Sequence, residues 1–245
     1  MITRAFRGAC AALSITFLAG CAAQPELARE GSFDRPDTLF DPALAIRQAW
    51  TTMPLAPDGE TRQTDYRLAT HQDRLSIRAE GRRSASGLAL PVDFDAEACP
   101  YLAWDWRVEK LQEGANPYER GLDDGAAAIL VMFGDPWQGE GPVAGAPPAV
   151  PTLRYLWTIQ AVPEETIIDS PAWPGKLRSI VVQSGLESPL AWESEKRDLS
   201  ADYQAAFGSL PRENAKAVVL YTDNDQTQEP VVAHYGAARL LCARK

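Results

Sequence analysis

From residue 65 onward, apolar and polar residues alternate in short runs with a period of two, the spacing of strands that bury one face. Tyr66 and Leu68 alternate with polar neighbours, as do Leu75, Ile77 and Ala79; Leu88, Leu90 and Val92 continue the pattern within 86–94. The clearest run is 101–108. It sets Leu102, Trp104, Trp106 and Val108 on one face and Tyr101, Ala103, Asp105 and Arg107 on the other. Residues 126–133 are apolar throughout and lie between Gly125 and Gly134, which predicts a central strand covered on both faces. Further strands are predicted over 153–160, 179–183, 192–199, 217–222 and 231–242, with turn signals at Gly114, Pro136, Pro174, Gly175 and Pro211. Many short strands with almost no helical period predict a mostly β fold: an antiparallel two-sheet β-sandwich, jelly-roll-like, with one or two short helices. One predicted helix is 200–207, with Ser200 as N-cap, Asp202 in the first turn and Gly208 at its stop. The other is 41–50, with Asp41 as N-cap and Pro42 at the first helical position. Segment 134–152 is rich in Gly, Pro and Ala and carries Trp137. A loop of that length suggests a flap beside a site.

The first 20 residues follow a different pattern. Arg4 and Arg7 precede an apolar run from Ala9 to Ala19, too short for the roughly 20 residues a bilayer span requires. Such a layout is that of a cleaved signal. Leu18, Ala19, Gly20 and Cys21 close the run and resemble the lipobox of bacterial lipoproteins. The resemblance implies cleavage before Cys21 and acylation of that cysteine, palmitate among the chains; two or more acyl chains make a stable anchor. Ala22 follows the cysteine, which in such lipoproteins implies the outer membrane, facing the periplasm. Residues 1–20 are therefore expected to be signal, 21–49 a lipidated tether, and 50–245 a single β-sandwich domain. Removing Cys10 with the signal and lipidating Cys21 leaves Cys99 and Cys242 of the four cysteines. In an oxidising compartment that pair reads as one disulfide.

Charge narrows the partners. The chain has 24 basic and 33 acidic residues; loss of Arg4 and Arg7 with the signal leaves 22 against 33, a net charge of −11. Such a surface repels phosphate backbones, so nucleic acid is excluded as a partner. The chain has no Gly-rich phosphate loop, dinucleotide fingerprint or nucleophile elbow.

Trp104 and Trp106, Leu122 to Gly125, Leu153 to Trp157, Trp192 with Arg197, Asp202, Phe207 and Gly208, Thr222 to Asp225, and His234 to Gly236 together resemble an uncharacterised bacterial family, domain of unknown function 3047. The resemblance spans about residues 50–242. It implies an exported β-sandwich similar in outline to jelly-roll carbohydrate-binding modules, and no established activity. The family pattern expects a basic residue soon after the Asp123–Asp124 pair, where this chain has Ala126, Ala127 and Ala128.

The candidate chemistry lies in two Asp-rich loops. Asp123 and Asp124 precede the central strand, and Asp223, Asn224 and Asp225 follow another. If the loops meet, their carboxylates suit calcium, which takes six to eight hard oxygens. Read alone, the same residues are turn formers. The Asp123–Asp124 pair needs a compensating partner such as Arg107 or a cation. Trp104 and Trp106 share the face of Leu102 and Val108 and are expected in the core. Trp137 and Trp173, in Pro-flanked loops, are better placed to stack on sugar rings. Glu193, Glu195, Asp198 and Asp202 read as a solvated strand leading to a helix start. The two histidines, His71 and His234, make a metal site only if they converge.

Three readings stay open. The first is a non-catalytic lipid-anchored module binding a glycan or another envelope component. The second is a hydrolase of envelope polysaccharide acting through the loop carboxylates. The third is a structural partner of an envelope protein. For the anchor, Cys21→Ser is expected to release the protein from sedimented membranes into the soluble fraction; a variant that still sediments would sink the lipoprotein assignment.

Overall fold

The computed structural model describes residues 35–42, 51–54, 62–138, 148, 150–185 and 191–242. The signal, Cys21 and most of the predicted 41–50 helix lie outside these residues. Two sheets stack as a sandwich. Six strands form the first: β1 (Arg35–Phe40), β3 (Asp65–His71), β4 (Arg74–Gly81), β6 (Tyr101–Lys110), β11 (Glu193–Asp198) and β13 (Val231–Cys242). Its order is β11-β6-β13-β4-β3, with β1 also paired to β13. The second has seven: β2 (Thr51–Pro54), β5 (Ala85–Phe94), β7 (Ala127–Phe133), β8 (Thr152–Thr158), β9 (Ile167–Asp169), β10 (Leu177–Ser184) and β12 (Ala215–Asp223), in the order β2-β5-β12-β7-β8-β10-β9.

The expected β-sandwich is therefore present, with three departures. β8 and β10 pair in parallel, because the chain passes to the outer edge through β9 before returning as β10. Residues 35–40 of the expected tether form β1, whose partner is the end of β13. The N-cap of α1 (Leu199–Phe207) is Asp198, not Ser200. Its carboxylate accepts from the N–H groups of Ser200 and Ala201 at 3.1 and 3.0 Å, while the Ser200 hydroxyl donates to Ala96 O. Gly208 ends the helix in the left-handed region (φ 79°), as its sequence position predicts.

Alternation explains the core. In the six-stranded sheet Leu102, Trp104, Trp106, Ala233 and Tyr235 point inward; in the seven-stranded sheet Ile129, Val131, Leu153, Tyr155 and Trp157 meet them. Aromatic rings join the layers: Trp104 lies 5.2 Å from Tyr155, and Trp106 lies 5.7 Å from Trp157. The run 126–133 is central as predicted, since β7 is flanked by β12 and β8 and buried along its whole length. Two hydroxyls also cross the core. Tyr66 donates to Ser86 O and Leu220 O and accepts from Thr222 N–H; Tyr235 donates to Tyr221 O and lies 2.7 Å from Thr222 Oγ1.

Cys99 and Cys242 are bonded, across a sequence separation of 143 residues. Closing so long a loop removes unfolded-state entropy. The double Cys99→Ser, Cys242→Ser variant is expected to lose about 2–5 kcal/mol of stability, read by urea unfolding against the oxidised parent.

Candidate functional site

The two Asp-rich loops do meet. One carboxylate oxygen each from Asp124, Asp223 and Asp225 lies within 4.8 Å of the others. β12 delivers Asp223 on the sheet's outer face, and Gly125 locks to it: Gly125 N–H donates to Asp223 Oδ1 at 2.5 Å, and Asp223 N–H donates to Gly125 O at 3.1 Å. Tyr221 OH donates to Asp223 Oδ2 at 2.9 Å. Asp124 accepts from Gln226 N–H at one oxygen and from the N–H and hydroxyl of Thr227 at the other. Both oxygens of Asp124 and Oδ1 of Asp223 thus staple the loops together, while Asp223 Oδ2 is held within β12 by Tyr221.

Asp123 takes a separate partner. Its Oδ2 lies 3.9 Å from Nη2 of Arg154, a buried β8 guanidinium that also donates to Ser179 Oγ and to Asp123 O. Arg154 is the compensating cation that the Asp pair requires, not Arg107, which lies on the opposite sheet. The spacing of the three carboxylates fits a hard cation. The oxygens of Asp124 and Asp223 nevertheless already accept protein hydrogen bonds, and the Arg154 guanidinium adjoins the neighbouring Asp123.

Trp137 and Trp173 are half-buried against a second apolar cluster on the outer face of the seven-stranded sheet, with Leu130, Met132, Leu156 and Val219. They cover that face rather than standing free. The acidic run is likewise tied inward: Glu195 accepts from Gln183 and Trp106, Asp198 caps α1, and Asp202 receives Tyr155 and Arg197.

The outer face of the six-stranded sheet is different. Because Trp106, Ala233 and Ile77 point inward, Arg107, His234 and Ser76 point outward, and strand register sets Arg107 and Arg78 on either side of His234. Arg107 and His234 are only 1% and 3% exposed. His234 Nε2 lies 3.2 Å from Glu109 Oε2, and its Nδ1 lies 3.2 Å from Ser76 Oγ. Burial holds the imidazole pKa down, opposed by the Glu109 hydrogen bond and aided by the Arg107 and Arg78 charges. His71 and His234 do converge, with ring centroids 5.8 Å apart, and Trp192 stands 6.4 Å from His234 with Arg74 over its ring. Gly236 makes room for the neighbouring strand: a Cβ there would fall 3.0 Å from Asp105 Cβ and 3.1 Å from Asp105 O, with the Trp192 ring at an ordinary contact of 3.4 Å. Around this centre, four buried atoms lack a hydrogen-bond partner among the described residues: His71 Nε2, Arg107 Nε, Arg107 Nη1 and Trp192 Nε1.

The order Ser76, His234, Glu109 has the composition of a hydrolytic triad. It lacks the geometry, because Ser76 is fully buried in its strand and its hydroxyl also faces Ala69 O. Of this cluster, sequence reasoning singled out Arg107 and noted both histidines. It missed Ser76, Glu109 and Trp192 as members, since strand register alone joins residues so far apart.

Fold and site together define a β-sandwich with one covered apolar outer face and one polar outer face. The chain belongs to the family described as "Protein of unknown function (DUF3047)", whose model matches residues 48–239. No curated protein matches it. Among solved structures it is similar to the family 30 carbohydrate-binding module of the cellulosomal cellulase Cel9D-Cel44B of Clostridium thermocellum. Identity is 8% and the TM-score 0.43, covering 86% of this chain and 100% of the module. It is also similar to an agarase, AgWH50C, at 8% identity and a TM-score of 0.37, covering 86% of this chain and 25% of that one.

The buried Asp223 carboxyl is pushed well above the usual range, first by desolvation and then by the charges of Asp124 and Asp225. The folded state therefore holds a proton that the unfolded chain releases near pH 4, and Asp223 subtracts stability as pH rises above that point. Asp223→Asn removes this term. Relative to the parent, the variant is expected to gain stability between pH 5 and pH 8, measured by chemical unfolding at each pH.

Proposed function

We propose that this protein is a non-catalytic binding module, lipid-anchored at Cys21 in the cell envelope, that takes a glycan on the outer face of its six-stranded sheet. The observation that carries this reading is the group of buried, unpartnered polar atoms on Arg107, His71 and Trp192. A buried donor or acceptor without a partner costs about 1–3 kcal/mol, so its retention in one place favours a ligand that supplies hydrogen bonds. A sugar offers hydroxyls to the guanidinium and imidazole and an apolar ring face to the half-buried indole. The outer-membrane, periplasm-facing location rests on the lipobox and Ala22.

The hydrolase reading draws support from the raised pKa of Asp223, since a carboxyl that keeps its proton can serve as an acid. Against it, both oxygens of Asp223 already accept protein hydrogen bonds. Binding at the other face accounts for more of the geometry.

Arg107→Met separates binding from folding. It keeps most of the apolar stem and removes a buried charge whose Nε and Nη1 are unpaired, so stability is expected to hold or rise. Affinity for the binding member of a panel of muropeptides and lipopolysaccharide core oligosaccharides is expected to fall at least about tenfold, by calorimetry. Equal affinity in the variant would remove this face as the site. Absence of any glycan binding by the parent would leave the envelope-protein partner reading.

A further inference from the structure

A pocket of about 480 Å³ opens at the end of the sandwich where the β4–β5 turn meets the β12–β13 loop. Arg62, Arg82 and Arg83 line it, against a single lining carboxylate, Glu80. Glu80 is already committed. It accepts from Arg78, Arg67 and Arg82, and the hydrogen bonds from Arg78 and Arg82 hold its pKa down to about 2. Among the described residues, neither Arg62 nor Arg83 makes a side-chain hydrogen bond or ion pair, in a chain whose net charge is −9. Two arginines lining one cavity are therefore uncompensated.

The pocket's frame is held tightly. Buried Asn224 accepts from Ser84 N–H at 3.0 Å and donates to Glu229 O at 2.6 Å, tying the turn to the loop. Gly81 permits the contact, since a Cβ there would fall 2.5 Å from Val231 Cγ1 and 2.7 Å from Asn224 Oδ1. Arg62 is brought alongside by its bridge to Ser84. Arg83, in the β4–β5 turn, and Gln228, in the β12–β13 loop, both sit in the left-handed region, at φ 54° and 60°. Non-glycine residues adopt that conformation at a cost, and such strain gathers at ligand sites.

We propose that this pocket binds a small oxyanion-bearing ligand, the size of one acidic sugar residue, through Arg62 and Arg83. The guanidinium fork matches the paired oxygens of a carboxylate or a phosphate. The volume falls in the range of small-molecule sites. Pro230, Val231 and Val232 supply an apolar wall for the body of the ligand. The inference stands on these residues alone and is independent of what the six-stranded sheet takes.

The test is calorimetric titration of the folded domain at constant ionic strength with galacturonate, galactose and inorganic phosphate. Saturable binding of galacturonate or phosphate, at least about tenfold tighter than of galactose, is the expected result. Galacturonate binding alone identifies a carboxylate ligand, and phosphate binding alone a phosphorylated one. The double variant Arg62→Gln, Arg83→Asn, whose asparagine tolerates the left-handed backbone, is expected to lose at least about tenfold in affinity with an unchanged melting temperature. The double variant Arg212→Gln, Arg239→Gln, at exposed positions outside the pocket lining, likewise removes two positive charges and is expected to bind as the parent does. Equal binding of galactose, no binding of either anion at millimolar concentration, or full affinity in the double variant would overturn the proposal.

Discussion

The tyrosine hydroxyls that cross the core are the constraint on which the rest depends. Tyr66 and Tyr235 come from the six-stranded sheet and end on backbone and hydroxyl groups of β12 and its neighbour β5. Buried this deeply, they must be paired, and each lost partner would cost about 1–3 kcal/mol. Satisfying them leaves little freedom for β12 to slide past β13. The chain passes from one strand to the other directly beyond this contact, so residues 223–230 are held in one place. The carboxylate cluster and the arginine-lined pocket both draw residues from that short crossover.

The two outer faces follow from opposite uses of the same alternation. On the seven-stranded sheet, outward positions such as Leu130, Met132 and Val219 are apolar, and Trp137, Val150 and Trp173 pack over them. On the six-stranded sheet, outward positions carry Ser76, Arg78, Arg107 and His234. Here burial does not come with full pairing: the Arg107 guanidinium is almost inaccessible and still has unpartnered nitrogens. A covered apolar face contributes stability; a buried polar face with unpaired groups subtracts from it. That contrast is the physical reason to place recognition on the second face.

Much of the architecture was legible in the residues. The alternation at 101–108 placed Trp104 and Trp106 inward, the apolar run at 126–133 located the centre of a sheet, and Gly208 marked a helix end. The parity of the remaining cysteines identified the Cys99–Cys242 bond. Other features were not legible, for identifiable reasons. β9 is three residues long and exists because β10 offers it an edge. β1 carries no period of its own and takes its form from β13. Ser200 and Asp198 are both competent caps, and the strand leading into the helix decided between them.

The sequence by itself determined which positions are apolar and at what spacing, because alternation is a local property that holds whatever the strand pairs with. It also determined that two Asp-rich loops, few histidines and an acidic surface were the chemistry at hand. Tertiary structure decided which of these meet. Arg154, rather than Arg107, balances Asp123; His71 stacks near His234 from 163 positions away in the numbering; Arg62 joins Arg83 only through a bridge to Ser84. Such pairings depend on strand register and sheet order, and a register shift of one residue would turn each of these side chains to the opposite face.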